Sequence, residues 1–448
     1  MKLPAVSAKV FWCIAVVLHL LCFLQALHTG SIYLVDSIDY LSQAENLIKH
    51  GSLYAAPWNG PFRFDYFTFR PPVYGLFILI CKFIYANDYC ILFMQALISL
   101  STLFGILKLA GKLGLNINKT RLFLALILVF YPSQLIHCNF VMSDILFQSL
   151  LFWAFYYSYQ LLHHQTYKNA FISVLFFMLA MLTKPVAFLL GFTLLLVLAI
   201  AFSRKNKIKY VLPFLLLPLT YHAYCSYNER VTGYYHYSSV TPVFVLKYMA
   251  KYTNAQLFGE AYADSVQDHI MAIANAQVVY ADRYNLMNAE GTKIITEHKT
   301  FFMWFNIKGW VAFMLDPGRF EWVHFLNLKE GNYPGLYHVV NTEGLVKGLW
   351  IFIKNAPLVL LFILLISFIW NAFISALLLV FFFSRNISWQ LRLWVFLFVA
   401  YIIGSTGVLG LSRYRIAVAP MLWIAALYVI QLWLIHRADR KENLMYVD

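Results

Sequence analysis

The chain has 448 residues, of which 61% are hydrophobic, 18% are aromatic and only 12% carry a charge. Soluble globular domains are roughly 45–50% apolar and about 25% charged, so this composition excludes a soluble enzyme, a disordered protein and a secreted disulfide scaffold. The net charge of +14 would suggest a nucleic-acid partner in a soluble protein, but the positions of the charges argue against it. We therefore expect a polytopic membrane protein with one sizeable insert outside the membrane.

The first apolar segment follows two lysines, Lys2 and Lys9. This is the charge order of a signal peptide, but no convincing small-x-small cleavage site follows, so we expect a retained membrane anchor. The six cysteines include no CxxC pair. They therefore suggest neither a disulfide framework nor a zinc site.

Ten segments are predicted to cross the membrane, which takes roughly 17–25 mostly apolar residues. The stretch 73–85 is apolar but short and contains Lys82, so we expect it to lie on the membrane or to dip into it. The predicted spans are residues 10–27, 89–109, 122–137, 145–162, 169–183, 185–202, 210–226, 358–383, 393–411 and 421–435.

Basic residues are unevenly divided between the two sides of these spans. With the N-terminus in the cytoplasm, the inside segments carry nearly half of the 34 Lys and Arg residues but only three of the 20 acidic residues. Cytoplasmic loops are usually enriched in Lys and Arg, so the asymmetry supports ten spans with both termini inside. The positive charge is then explained without nucleic acid.

This topology divides the chain into four parts. Residues 1–226 form a transmembrane catalytic module with a first outer loop at 28–88. Residues 227–357 form a small extracytoplasmic insert, either α or α+β. The C-terminal transmembrane helices follow at 358–435, and a cytoplasmic tail at 436–448.

The first outer loop carries two acids directly after the first span, Asp36 and Asp39, followed by Tyr40. Apolar residues from Leu41 to Ile48 recur at helical spacing, which predicts an amphipathic helix on the membrane surface. Asp36 stands where it could cap that helix, a common role for aspartate. The alternative role is a general base at the membrane interface, and the pattern leaves both open.

Arg70 ends the same loop and precedes Pro71 and Pro72. The prolines prevent helix at Arg70 and favour a helix that starts directly after it. An arginine at this depth can bind a phosphate through two parallel hydrogen bonds. The alternative is an interfacial arginine that contacts ordinary lipid headgroups.

Further charged residues lie at the outer ends of other spans. Asp144 opens the fourth span, where an acid is costly unless it is partnered, functional or a helix cap. Lys184 precedes Pro185 in a tight turn and is either a topological mark or part of a site. Arg413 and Arg415 lie between the last two spans, where they suit an anion site or, alternatively, snorkelling side chains.

All of these positions fall on one side of the membrane. Three carboxylates and four cations at one interface suit a reaction on a lipid-linked phosphate that must stay outside the cytoplasm. Glycine-rich nucleotide-binding patterns are absent from the sequence, which argues against a nucleotide-driven pump. The candidates are Asp36, Asp39 and Asp144 as carboxylates, Arg70, Lys184, Arg413 and Arg415 as cations, and Tyr40 as a further residue that binds the substrate or carrier phosphate.

The first outer loop resembles that of the GT-C glycosyltransferases. Asp36 is followed by Tyr40 and Ala44 at the spacing of their first-loop acid motif, and Arg70 with its two prolines resembles the end of that loop. The closest branch is the one that uses polyprenyl-phosphate sugars and contains bacterial aminoarabinose transferase and the protein O-mannosyltransferases.

Other segments resemble the same branch. They are Ser143-Asp144, the LTKP turn at Lys184 and the SRYRIAVAP segment that contains Arg413. The family often has Ser-Glu and Thr-Arg-Pro at the first two of these positions. The resemblance covers about residues 10–200 and, less closely, 410–435, and the insert resembles no family.

The resemblance implies a GT-C-like bundle in a bacterial inner membrane, with seven spans before the insert and the active site on the periplasmic face. It implies transfer of a sugar from undecaprenyl phosphate in the bilayer to a glycolipid, such as lipopolysaccharide, or to a protein. In the family the acid that matches Asp36 is the catalytic base, and the basic residue that matches Arg70 lies near the carrier phosphate. Metal use varies among these enzymes; Asp144 lacks a paired acid, so we expect no required metal, although a divalent cation is compatible.

Two alternative functions are compatible with a polytopic chain. A transporter or flippase of lipid-linked sugars would need ionisable residues within the spans and two related halves, and neither is evident. An O-antigen polymerase or ligase also has a large outer loop with arginines, but the acid and Arg-Pro-Pro pattern of the first loop argues against it. We therefore expect an inverting, lipid-carrier-dependent glycosyltransferase.

Overall fold

The computed structural model describes residues 6–203, 207–328, 339–340 and 343–445, and every regular element within them is helical. In chain order the first helices are α1 (Ala8–Thr29), α2 (Ser37–His50), α3 (Asp65–Thr68), α4 (Pro72–Ile84), α5 (Tyr89–Lys112), α6 (Ile117–Phe130), α7 (Ser133–Cys138), α8 (Asp144–His163), α9 (Tyr167–Met181), α10 (Ala187–Ser203) and α11 (Leu216–Thr232). The remaining helices are α12 (Val240–Phe244), α13 (Lys251–Phe258), α14 (Glu260–Asn275), α15 (Tyr280–Glu297), α16 (Lys299–Leu315), α17 (Arg319–Phe325), α18 (Leu345–Asn355), α19 (Leu358–Phe383), α20 (Trp389–Thr406), α21 (Ser412–Arg415) and α22 (Ala419–Met445). The predicted all-α membrane class is confirmed.

Five helical segments of the described chain are long and apolar enough to cross a membrane. Each overlaps a predicted span. Other predicted spans fall on shorter apolar helices such as α9 and α10, so the total of ten stays a prediction. The five segments are Ala8–Thr29, Tyr89–Lys112, Leu358–Phe383, Trp389–Leu409 and Ser412–Ile435.

The first outer loop forms two amphipathic helices, α2 and α4, which pack against each other. Tyr40 and Ala44 of α2 are buried against Tyr74 and Ile78 of α4. The opposite face of α4 leaves apolar side chains such as Phe83 exposed. A short helix with one buried and one exposed apolar face fits the prediction that 73–85 lies at the membrane, and Pro72 at its first turn needs no hydrogen-bond partner there.

Helix α8 forms the centre of the N-terminal bundle and is buried along most of its length. It packs against α5 and α9, and also against the short helical turn Ile416–Val418 near the end of the chain. Gln148 of α8 donates to the carbonyl of Ile416 at 2.7 Å. The first residue of α8 is thereby held close to the segment that carries Arg413.

Every regular element in the described part of the predicted insert is helical, so α rather than α+β holds for those residues. Part of it joins the membrane bundle, because α16 packs against α19, α20 and α21. A side chain at Gly309 of α16 would meet the backbone of Gly407, so the close approach depends on small residues. The predicted insert and tail both begin inside helices, since α11 ends at Thr232 and α22 at Met445.

The insert also contacts the first outer loop through a polar seam, here called the insert seam. Asp65 at the start of α3 is paired with Arg63 at 2.9 Å and with Arg283 of α15. Thr68 is bonded to His236 at 2.9 Å. These contacts fix the insert beside the loop that ends in Arg70.

Candidate active site

Asp36 lies at the N-cap position of α2, but its side chain makes no capping hydrogen bond. The carboxylate instead faces two arginines. Its Oδ1 lies 2.8 Å from Nη2 of Arg70, and its Oδ2 accepts from Nη2 of Arg413 at 2.7 Å. The interpretation of Asp36 as only a helix cap is therefore not supported by the geometry.

Arg70 is oriented by contacts on several sides. Its Nε and Nη2 donate to Oδ2 of Asp39 at 3.1 and 2.8 Å. The guanidinium lies over the rings of Tyr40 and Phe69, 4.9 and 4.7 Å from their centroids. Its carbonyl accepts from Nε2 of Gln43 at 2.6 Å, a position that no sequence pattern marked.

Asp144 joins the N-terminal module to the last outer turn. Its Oδ1 accepts from Nζ of Lys184 at 2.5 Å, and its Oδ2 accepts from Nε of Arg413 at 3.2 Å. Lys184 lies in the turn between α9 and α10, where Pro185 prevents the two helices from merging. At the adjacent position, Ser143 Oγ is hydrogen-bonded to the hydroxyl of Tyr40 at 2.8 Å.

These groups form one continuous chain of alternating charges, here called the charge chain. Each of its two arginines contacts two carboxylates, and the three acids balance the three cations. Asp36 and Arg413 retain 23% and 19% side-chain exposure, whereas Asp144 retains 3%. The middle of the charge chain is thus accessible from the surface of the protein. In order, the members are Asp39, Arg70, Asp36, Arg413, Asp144 and Lys184.

Arg415 does not join the charge chain, which corrects the expectation that it acts with Arg413. Its Nη1 donates to the carbonyls of Phe313 and Met314, both at 2.8 Å, and its Nη2 donates to the carbonyl of Asp316 at 2.9 Å. Residues two apart on a helical turn point to different sides. Arg415 therefore satisfies the free carbonyls at the end of α16.

The pKa values of the two acids at the start of α2 are shifted in opposite directions. Burial raises the pKa of Asp36, but the charges of Arg413 and Arg70 outweigh burial and hold that pKa below its ordinary value. Burial also raises the pKa of Asp39, and Arg70 offsets only part of that increase. Burial lowers the pKa of Lys184, although the charge of Asp144 acts in the opposite direction.

The segment that carries Arg413 is anchored by acids that the sequence analysis missed. The Ser412 amide donates to Oδ2 of Asp316 at 2.6 Å, and its hydroxyl donates to Oε1 of Glu321 at 2.6 Å. Both acids lie in the predicted insert, about ninety residues before Ser412, and no motif links them to it. Only the three-dimensional fold shows the connection.

A metal site was predicted to be dispensable. Among the described residues, no group of three or more His, Cys, Asp or Glu side chains is placed to hold a metal ion. The carboxylates of the charge chain face side-chain cations instead. The prediction about metal dependence itself stays untested.

The helices of the described residues, together with the five segments that are long and apolar enough to cross a membrane, indicate a polytopic membrane protein. In a comparison with known families, residues 69–226 match the family model described as dolichyl-phosphate-mannose-protein mannosyltransferase. This region contains Arg70, Asp144 and Lys184. The match confirms the predicted resemblance to the GT-C glycosyltransferases that use polyprenyl-phosphate sugars. None of the curated proteins matches the chain significantly.

Two solved structures resemble the whole chain more distantly. One is ArnT from Cupriavidus metallidurans bound to undecaprenyl phosphate, with a TM-score of 0.40 and 14% identity. The other is the same protein in the apo state, with a TM-score of 0.39 and 12% identity. Each alignment covers 95% of this chain and 77% of the other. Scores this low add nothing about what this chain binds.

Proposed function

We propose that this protein is an inverting membrane glycosyltransferase that moves a sugar from a polyprenyl-phosphate carrier, such as undecaprenyl phosphate, to an extracytoplasmic acceptor. The observation that carries the proposal is the charge chain. It collects cations suited to a phosphate, and a carboxylate suited to a hydroxyl, from four separate parts of the sequence. The match of residues 69–226 to a family of lipid-phosphate-sugar enzymes supports this chemistry.

The donor half of the site would use Arg70 and Arg413, with Lys184 as a third cation. As the bond between the sugar and the phosphate breaks, negative charge grows on the phosphate of the leaving carrier. Fixed cations stabilise such charge without reorganisation. The isoprenoid tail of the carrier would remain in the bilayer while its phosphate contacts both arginines.

Donor binding would also activate the base. In the charge chain Asp36 contacts both arginines, so a phosphate that binds them displaces its partners. Loss of a neighbouring positive charge raises the pKa of a carboxylate. Asp36 would then become a better proton acceptor at the moment when the donor is in place.

The acceptor half would use that carboxylate. The acceptor oxygen forms a bond to the anomeric carbon as its proton passes to Asp36, and the carrier phosphate leaves with the electrons of the broken bond. General-base assistance of this kind contributes typically about 10²–10⁴-fold. Asp39, with one arginine partner, is the second candidate base, and Asp144 would hold Lys184 and Arg413 in place.

We further propose that the site lies on the extracytoplasmic face of the bacterial inner membrane and that the charge chain needs no divalent cation. The support for the first point is the distribution of Lys and Arg among the loops. The support for the second is that the charge chain already contains three side-chain cations, Arg70, Arg413 and Lys184. The acceptor is a cell-envelope glycolipid or a protein.

The test is sugar transfer by the purified protein in detergent. Detergent removes the two compartments that a transporter needs, so any transfer measured there is enzymatic. Polyprenyl-phosphate-linked hexoses and pentoses would be supplied with a glycolipid extract, and release of polyprenyl phosphate would be measured. We expect release that Arg70→Lys weakens and Arg70→Ala weakens further, because lysine lacks the bidentate geometry. Lys49→Gln, in an exposed pair on α2, serves as the control. Equal release by wild type and Arg70→Ala would contradict the proposal.

A further inference from the structure

A buried acid and a buried histidine meet directly behind the segment that carries Arg413. Glu321 of α17 is 4% exposed and His137 of α7 is fully buried. Nε2 of His137 lies 3.8 Å from Oε1 of Glu321. The two residues are far apart in sequence and come together because α17 packs against α7.

Neither ring nitrogen of His137 has a hydrogen-bond partner among the described residues. A buried histidine without any partner is unusual, because buried polar atoms nearly always form hydrogen bonds. At 3.8 Å, a small shift would let a protonated Glu321 donate to Nε2. The pair can therefore share one proton.

Glu321 is tied to the proposed site through one residue. Its Oε1 accepts the hydroxyl of Ser412, and Ser412 immediately precedes Arg413. The turn that begins α17 is shaped for this contact: Gly318 has φ of +79°, and a side chain there would meet Oε2 of Glu321 at 3.2 Å. The placement of Glu321 is thus built into the fold.

The surroundings of Glu321 favour its protonated form. Burial, and then the charge of Asp316, raise its pKa from 4.5 to about 7, against smaller opposing effects of the hydrogen bond from Ser412, a backbone hydrogen bond and the charge of Arg413. The charged groups that face Glu321, apart from His137 itself, are Asp316 before α17 and Arg413 on α21. Asp144, Lys184 and Arg415 act on the histidine from further away.

We propose that Glu321 and His137 hold one shared proton and act as a positioning pair for Arg413. With the proton bound, the pair is neutral and Arg413 is fully available to Asp36, Asp144 and the carrier phosphate. When the proton leaves to solvent, a buried negative charge remains beside Ser412. That charge draws on Arg413 and weakens its hold on the leaving phosphate. The inference rests on the proposed role of Arg413.

The consequence is a fall in turnover as the pH rises, here called the alkaline limb of the pH profile. Turnover should fall about tenfold between about pH 5.5 and pH 8.5, the size expected when one buried charge acts on another across a few ångströms. Glu321→Gln keeps the shape and an acceptor for Ser412 but cannot lose a proton. The variant should therefore retain similar turnover at both pH values. Glu260→Gln, on an exposed part of α14, is the matched control and should keep the limb.

Thermal unfolding provides a second readout that needs no activity. A carboxyl group with a raised pKa in the folded state contributes stability below its ordinary pKa, and this contribution is lost as pH rises through the folded pKa. Between about pH 5 and pH 8 the melting temperature of wild type should therefore fall by a few degrees more than that of Glu321→Gln. This difference between the two proteins is here called the gap in melting temperature. His137→Gln should change this difference in melting temperature, whereas His324→Gln, on the same helix as Glu321, should not.

Each outcome decides the inference. A gap in melting temperature together with a limb that Glu321→Gln removes supports it. A uniform loss of turnover in Glu321→Gln, with the limb unchanged, would overturn it and leave Glu321 as an anchor of Ser412. A missing gap in melting temperature would also overturn it. If no transfer occurs at any pH while the gap is present, the proposed function fails, and with it the role in positioning Arg413.

Discussion

The charge chain and the insert seam are both groups of paired arginines and aspartates, yet they are arranged differently. In the seam one carboxylate, Asp65, is held between Arg63 and Arg283. Neutral contacts surround it: the hydroxyl of Ser239 donates to the Asp65 carbonyl at 2.6 Å, and Ser238 donates to the carbonyl of Thr68 at 3.0 Å. The seam joins two pieces of the chain.

In the charge chain, by contrast, each arginine is shared between two carboxylates. A phosphate can replace one of those carboxylates without leaving a cation unpaired. In the seam both arginines depend on the same carboxylate, Asp65, which is its one acid among the residues that the structure describes there. An anion that displaced Asp65 would therefore have to replace the partner of both arginines. The comparison shows that alternation, rather than burial of charge alone, distinguishes a site that can accept an anion from a structural contact.

The largest effect should come from Asp36. Asp36→Asn removes the proton acceptor but keeps the shape, so turnover should fall on the order of 10²-fold or more. Asp39→Asn should cost much less. The measurement is sugar transfer from a purified polyprenyl-phosphate donor, with Glu45→Gln on the exposed face of α2 as control. Near-normal turnover in Asp36→Asn, or a collapse in Asp39→Asn alone, would reverse the assignment.

Arg413 and Arg415 lie in one helical turn but should have different roles, Arg413 in binding the phosphate and Arg415 in stabilising the fold. Arg413→Gln should lower the turnover of the folded protein by about 10–10²-fold, because a fixed cation at the phosphate is lost. Arg415→Gln should instead destabilise the protein by about 1–3 kcal/mol, because buried carbonyls at the end of α16 lose their donor. Thermal unfolding and turnover are measured for both variants. The opposite pattern would mean that Arg415 is the functional arginine.

The insert seam should respond as a structural contact. Arg283→Gln leaves Asp65 with Arg63 alone, and we expect about 1–2 kcal/mol of local destabilisation from the lost charged hydrogen bond. Limited proteolysis should then cut the insert faster, while turnover changes by less than about threefold. Loss of turnover as large as that of Arg413→Gln would show that the seam belongs to the active site.

The last prediction concerns topology, and the two cysteine variants that test it should keep normal sugar transfer. Cysteine placed at the exposed positions Asn118 and Ser265 should be distinguished by a membrane-impermeant thiol reagent in intact cells. We expect labelling at 265 and protection at 118, because the basic loop at 108–121 is predicted to be cytoplasmic. Labelling at 118 would place 73–85 across the membrane and separate the charged residues onto two faces.

Much of the site was predictable because its members stand at helix ends that the sequence marks. Asp36 and Asp144 lie at the starts of α2 and α8, Lys184 precedes a proline, and Arg70 precedes two prolines. Once the side of the membrane is known, such ends fall on one face. The structure brings these four residues together, whereas their roles stay predictions.

Other parts could not be read from the sequence. Whether Arg413 or Arg415 faces the acids depends on the rotation of one short turn, which tertiary packing decides. The contact of Glu321 with Ser412 joins segments about ninety residues apart, and no periodicity encodes it. The entry of α16 into the bundle depends on a close approach at Gly309 that composition does not reveal.

The central claim is that the carrier phosphate competes with Asp36 for Arg70 and Arg413. Equilibrium binding of polyprenyl phosphate to the purified protein tests it directly, with wild type, Asp36→Asn, Arg413→Gln and Arg415→Gln compared at one pH and salt concentration. The account predicts binding in Asp36→Asn at least as tight as in wild type, binding about tenfold weaker in Arg413→Gln, and unchanged affinity in the folded fraction of Arg415→Gln. Weaker binding in Asp36→Asn, or wild-type affinity in Arg413→Gln, would contradict it.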